Sequence, residues 1–178
     1  NGGVTFSVRA GTIHGIIGEN GAGKSTAMKL LYGLYRPDSD GGKIRVKGKE
    51  VRFRTPLDAI GLGIGMVHQH FMLAGPYTVL DNIILGAEPG NPLAPIDRRS
   101  ARERLTALSK KYGLEVPLDR LVEEVPVGVQ QRIEILKALY RGCEILILDE
   151  PTAVLTPPEV EHLLANLRLL KAEGKTIL

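Results

Sequence analysis

Tryptophan is missing from this chain, and phenylalanine and tyrosine make up only 4% of its 178 residues. Nucleic-acid readers stack bases on aromatic side chains, so this scarcity argues against such a module despite a net charge of +3 and a pI near 9.0. The basic residues that do cluster, Arg98, Arg99, Arg102, Arg104, Lys110 and Lys111, are diluted by Asp97 and Glu103. They follow a helical spacing with Leu105 and Leu108 inward, which reads as a solvated amphipathic face. A single cysteine, Cys143, excludes an internal disulfide and suits a reducing compartment. Its place just before an apolar run makes core packing its role. No apolar run approaches membrane-spanning length, and there is no internal repeat or low-complexity tract. His14, His68, His70 and His162 lack the company of further metal ligands. With 43% hydrophobic residues the chain has enough apolar side chain for a sizeable core, and it reads as a single soluble domain.

What the chain does have is a match to GxxxxGK[ST] at every fixed position, Gly18-Glu19-Asn20-Gly21-Ala22-Gly23-Lys24-Ser25-Thr26, directly after the apolar run 13–17. Glycines let the backbone curl around an anion with its N–H groups inward, and a helix starting near Lys24 aims its positive end at the same point. Lys24 would reach the β and γ phosphates of a nucleotide, and Ser25 would offer a hydroxyl to Mg²⁺. The alternative is an ordinary glycine-rich turn before a helix. A second element weighs against it: Ile145-Leu146-Ile147-Leu148-Asp149-Glu150 is an apolar strand pattern ending in two carboxylates. Open α/β sheets bind ligands at the carboxyl ends of their strands, so both acids would arrive beside the phosphates held by Lys24. Asp149 is expected to hold Mg²⁺ through water, and Glu150 to polarise the water that attacks the γ phosphorus. The NKxD guanine motif of GTPases is absent.

In order and spacing these residues resemble the nucleotide-binding domain of ATP-binding-cassette (ABC) transporters along nearly the whole chain. Walker A is 18–26, the Q-loop resembles Met66-Val67-His68-Gln69, the signature falls at Val125-Pro126-Val127-Gly128-Val129, and Walker B is 145–150 followed by Pro151-Thr152. The phrasing Val67-His68-Gln69-His70-Phe71-Met72-Leu73 with Pro126-Val127-Gly128-Val129-Gln130-Gln131-Arg132 looks most like the first of two fused domains in bacterial simple-sugar and nucleoside importers. The resemblance implies an α/β fold: a P-loop NTPase core with a mainly parallel sheet, an antiparallel β edge subdomain and an inserted α-helical subdomain. It implies one domain, incomplete at both ends, with 1–75 and 143–178 as the catalytic core and about 76–142 as the helical part. It further implies ATP and Mg²⁺ as ligands, Glu150 and Gln69 as catalytic residues, and Ser25, Asp149 and Gln69 around the metal. Gly18, Glu19, Asn20, Gly21, Ala22, Gly23, Lys24, Ser25, Thr26 and Gly128 would contact nucleotide. The implied partners are integral membrane permease subunits, a second cassette in the same chain or a homodimer and, indirectly, a solute-binding protein, with no nucleic acid. The implied place is the peripheral cytoplasmic face of the membrane, and the implied activity is ATP hydrolysis driving import of a sugar or nucleoside. Two other readings stand beside it: a soluble cassette ATPase working on ribosomes or DNA, and a cassette that holds ATP without hydrolysing it.

The chain also departs from the family pattern. Where relatives have LSGGQ only Gly128 survives, and Pro126 offers neither a hydroxyl nor a backbone N–H. Up to two charge-assisted bonds to phosphate are lost there, so the composite site that this signature completes is expected to be weak. The same residues also read as a plain helix start, Pro-Val-Gly before a Gln-rich run. In the D-loop, Ala153-Val154-Leu155-Thr156 replaces SALD, and Thr156 reads as the cap of the following helix, with Glu159 three residues on. The switch histidine and the adenine-stacking aromatic of relatives would lie beyond Leu178 and before Asn1, so the chain reads as part of a longer protein with slight ATPase activity on its own. Phe6 alternates with Val4 and Val8 and reads as a core strand position.

Pattern and punctuation predict strands at 4–8, 12–17, 43–46, 51–53 and 64–67, and helices at 24–32, 56–62, 78–85 and 158–172. A turn is expected at 37–42, and the stretch 97–141 reads mainly as helix interrupted at Gly113, Pro117 and Pro126. Phe71, Met72, Leu73 and Tyr77 offer apolar surface in a segment that resembles where relatives receive the coupling helix of a membrane subunit, and they read equally as packing under the helical part.

Overall fold

The computed structural model of the chain describes residues 3–38, 42–87 and 97–178. The expected turn at 37–42 therefore lies partly outside the described residues, as does 88–96 within the expected helical part. Helix α1 (Lys24–Leu31) follows the glycine loop, and β1 (Ile44–Val46) pairs antiparallel with β2 (Lys49–Val51). The ribbon turns at Lys47 and Gly48, both left-handed at φ 51° and 78°, a two-residue turn whose twist suits a hairpin. It sets Ile44 opposite Val51, so the second strand is 49–51 rather than 51–53, and Phe53 leaves the ribbon for the core. Helix α2 (Pro56–Gly61) opens on Thr55, whose N–H donates to the Asp58 carboxylate at 2.9 Å. Strand β3 (Ile64–Val67) is buried at all four positions.

Helices then dominate. Helix α3 (Val79–Ile84) is capped by the Thr78 hydroxyl, which accepts from Asp81 N–H at 3.1 Å. Helix α4 (Arg98–Tyr112) runs from its Asp97 cap to Gly113 at φ 65°, and a short 3₁₀ turn (Val122–Glu124) precedes α5 (Val127–Tyr140). The charged face of α4 is a solvated one: Arg98 pairs with Asp81 at 2.6 Å, Arg99 with Glu103 at 3.2 Å and Lys111 with Glu173 at 2.7 Å. Strand β4 (Ile145–Leu148), α6 (Pro157–Ala172) and β5 (Thr176–Ile177) complete the chain. Thr156 does cap α6, with its N–H and hydroxyl both donating to Glu159, at 2.9 and 2.8 Å.

β3, β4 and β5 form a parallel sheet in that order, with Ile64 beside Ile145 and Ile145 beside Thr176. Apolar side chains on both faces explain why its strands are continuous apolar runs rather than alternating ones. Ile64, Met66 and Ile147 pack with Met28, Phe53 and Ala59 on one side, while Val67, Leu146 and Ile177 join the buried residues of α3, α4, α5 and α6 on the other. Helix α5 comes so close to β3 that a Cβ on Gly65 would stand 2.8 Å from Ala138 Cβ and 3.1 Å from Cys143 Cβ. Cys143 belongs to this core.

The strands expected at 4–8 and 12–17 are not formed as such. Residues 12–14 run parallel to β5 through one bridge, Ile13 to Ile177, in which His14 N–H donates to Ile177 O at 2.8 Å and Ile177 N–H to Thr12 O at 2.9 Å. Among the described residues nothing pairs with 4–8, so Val4 and Phe6 are exposed, 68% and 44%, and Phe6 is not a core position. Alternation marks a surface fit for a sheet face, but without a partner strand the backbone stays merely extended.

Candidate functional site

The strands are parallel, so their carboxyl ends share one edge, and the residues that follow them meet there. The bridged segment 12–14 leads towards Gly18, β3 leads to Gln69, and β4 leads into Asp149 and Glu150. In the glycine loop, Gly21 and Gly23 are left-handed at φ 80° and 88°, a conformation that L side chains rarely take, and Gly23 is the N-cap of α1. Lys24 Nζ folds back to donate to the carbonyls of Gly18 and Glu19 at 2.7 and 2.8 Å. The first helical turn thus aims an ammonium and a helix N-terminus at one spot. Glu19, Asn20, Ala22 and Thr26 are exposed around it.

Ser25 Oγ donates to Asp149 Oδ1 at 2.8 Å, joining residues 124 apart in sequence. Asp149 is 7% exposed and is fixed by its own N–H, which donates to Val67 O at 3.0 Å. Beside it Gln69 Nε2 donates to Glu150 Oε2 at 2.9 Å. Glu150 sits at φ 50°, the left-handed region that non-glycine residues rarely occupy and that is found at functional sites. A hydroxyl and a carboxylate in contact are a hard-oxygen donor pair of the sort Mg²⁺ takes, since that ion keeps several waters and needs few protein ligands. The pair fits Mg²⁺. Among the described residues no group of three or more His, Cys, Asp or Glu could hold a metal.

Gly128 lies in the first turn of α5, against α6. A Cβ there would collide with Glu159 Oε1, and Glu159 is held in place by its bonds to Thr156. Pro126 is the N-cap of α5 and provides no side-chain cap. His68 is edge-on to Tyr32, 5.8 Å between ring centres, and burial holds its imidazole below the usual histidine range against the opposing field of Asp149. Of the four apolar residues near the Q-loop, Phe71 and Leu73 pack on the core whereas Met72 and Tyr77 are exposed. Packing under the helical part thus accounts for Phe71 and Leu73 and not for Met72 and Tyr77. Sequence reasoning missed Gln131, which is buried and donates through Nε2 to the Pro151 carbonyl, tying α5 to the turn after Glu150. A second glutamine at a buried helix position was the available signal.

A left-handed glycine loop opening a helix, beside a parallel strand that ends in a carboxylate, defines the phosphate-binding-loop class of α/β nucleotide-binding domains. The particular family follows from comparison: the ABC transporter profile matches residues 2–153, and the chain belongs to that family. It is similar to the guanosine import ATP-binding protein NupO of Bacillus subtilis, 50% identical over all of this chain and 34% of that protein. It is also similar to the nucleoside import ATP-binding protein NupA of Lactococcus lactis, 50% identical over 98% of this chain and 34% of that protein. The chain thus spans about a third of the length of these curated relatives. Among solved structures it resembles the ADP conformation of an ATP-binding cassette of an ABC transporter, with a TM-score of 0.83 and 27% identity over 98% of this chain and 72% of that one. The parallel sheet, the antiparallel strand pair and the helices match that cassette fold, as the sequence implied.

Proposed function

We propose that this chain binds Mg·ATP between the loop 18–26 and the pair Asp149 and Glu150, and hydrolyses it to drive import of a nucleoside or sugar through membrane permease subunits. The observation that carries the reading is the 2.8 Å contact of Ser25 with Asp149, flanked by Gln69 against Glu150. In it Lys24 and the backbone of 18–26 bind phosphate, Ser25 and Asp149 hold Mg²⁺, and Glu150 polarises the attacking water while Gln69 orients it. When bound, Mg²⁺ would neutralise charge on the phosphate oxygens. Nucleoside or sugar cargo is supported by the names of NupO and NupA and by that of a glucose import ATP-binding protein, TsgD13 of Haloferax volcanii, 44% identical over 98% of this chain and 36% of that protein.

The division into a core of 1–75 and 143–178 and a helical part of about 76–142 belongs to the same proposal, as does a second cassette whose nucleotide faces Gly128. Pro126 favours a weak site at that second face, and slight activity of the chain alone is a separate part of the proposal. No helix among the described residues is long and apolar enough to cross a membrane; a peripheral contact with permease subunits on the cytoplasmic face belongs to the same proposal.

In the full-length protein, Lys24→Ala is expected to weaken ATP binding at least tenfold, by order of magnitude, through loss of charge-assisted phosphate bonds. Unchanged affinity in a filter-binding assay would remove Lys24 from the site. Glu150→Gln is expected to keep ATP affinity and lower turnover by about a hundredfold or more; full turnover would dismiss Glu150 as the base. Co-purification with an integral membrane protein separates the transporter reading from a ribosome- or DNA-bound ATPase.

A further inference from the structure

Helix α5 carries a carboxylate within an apolar run: Glu134, only 4% exposed, sits between Ile133 and Ile135, which are fully buried. One turn on, Lys137 projects from the same side, its Nζ 3.9 Å from Glu134 Oε1. Both reach a single residue just past the Q-loop. Glu134 Oε1 accepts Met72 N–H at 2.8 Å, and Lys137 Nζ donates to Met72 O at 3.0 Å. A buried carboxylate is costly unless it is paired and hydrogen-bonded, and a neutral side chain would satisfy one backbone N–H at lower desolvation cost. Charge-assisted bonds to both polar groups of one residue give a stronger and more directional grip than packing does. The exposed Met72 side chain adds little packing of its own, although Phe71 and Leu73 on either side of it pack on the core.

The loop gripped in this way carries Gln69. At its start Val67 O is held by Asp149 N–H at 3.0 Å, at its end Met72 is held by α5, and between them Gln69 Nε2 meets Glu150 at 2.9 Å. We propose that Glu134 and Lys137 are positioning residues: they clamp the Met72 backbone and thereby set Gln69 against Glu150, tying the placement of α5 to the hydrolytic end of the site. This rests on the reading of Gln69 and Glu150 as the hydrolytic pair.

The test is steady-state ATP turnover by the full-length protein. Glu134→Ala is expected to lower kcat about tenfold with KM for ATP within about twofold, the signature of lost positioning rather than lost binding. Glu134→Gln keeps an acceptor for the Met72 N–H and is expected to restore kcat to within about threefold. Lys137→Met keeps most of the apolar stem, is expected to lower kcat similarly, and carries the test if the alanine variant fails to fold. The decisive arm is a double-mutant cycle: in a Gln69→Ala background, adding the Glu134 or Lys137 change is expected to cost less than about twofold, because the clamp acts through Gln69. A full loss repeated in that background, or an unchanged kcat in the wild-type background, overturns the proposal. Glu150→Gln separates the two levels. If that variant stalls while Glu134→Ala and Lys137→Met turn over normally, the clamp alone falls; if Glu150→Gln turns over normally, the hydrolytic reading falls.

Discussion

Glu150 shows at the scale of a single residue how a site is aimed. Its left-handed backbone at φ 50° turns the chain just past β4, and the turn closes with Ala153 N–H on Glu150 O at 3.2 Å. A residue beyond the other end of β4 makes the contrasting case. Cys143 is 3% exposed, and burial pushes its thiol up to about 11, so it is a neutral packing group. With the folded value raised, thiolate is scarce at neutral pH and appears only as the pH nears that value. Alkylation in the native state is therefore expected to run about a hundredfold slower than for a free cysteine, and to reach the free rate on unfolding in denaturant. Rapid native labelling in a thiol assay would contradict this packing. The meeting of Ser25 with Asp149, with Lys24 and Glu150 alongside, was legible because a glycine loop before a helix and an apolar strand ending in two acids have a spacing that can be read. Gln131 and Glu134 were not, since each is defined by a carbonyl or N–H brought in by tertiary structure, and a lone polar residue in a helical run carries no spacing to read.

At the scale of elements, close approach of α5 to β3 decides where the signature end of the chain stands. Gly65 makes that approach possible, and Gly65→Ala would push a methyl into Ala138 and Cys143. Overpacking of this kind is expected to destabilise the protein by about 1–3 kcal/mol, read as a lower urea midpoint. An unchanged midpoint would mean that the helix yields. Element boundaries followed the sequence wherever a local signal was strong. Thr78, Asp97, Gly113 and Thr156 punctuate their helices as their types demand, and the fully apolar β3 was read to the residue. The reading failed where pairing decides: 4–8 alternates like a strand yet has no ladder among the described residues, and the Lys47–Gly48 turn, not β-propensity, set β2. Acid offers a check on the α6 cap. Its N–H and hydroxyl bonds from Thr156 hold Glu159 below the usual carboxylate range, so the stability they supply is present above the ordinary glutamate pKa and lost as pH falls through the depressed one. Glu159→Gln is expected to flatten that acid limb in a melting series. A limb of unchanged steepness would place the acid loss elsewhere.

At the scale of the whole molecule, the parallel sheet is what makes one site from two distant segments. Its strands end on one edge, so residues 18–26 and 149–150, far apart in sequence, arrive together, and the core on each sheet face holds them there. This convergence is the central claim, and Mg²⁺ is its most direct probe. The measurement is ATP affinity of the full-length protein with and without Mg²⁺, for the wild type, Ser25→Ala, Asp149→Ala and the double variant. If both side chains serve one metal, each single variant is expected to lose most of the Mg²⁺ enhancement and the double variant to lose little more, a coupling well above about 0.5 kcal/mol. Independent, additive losses, or an enhancement that survives in either single variant, would contradict the account.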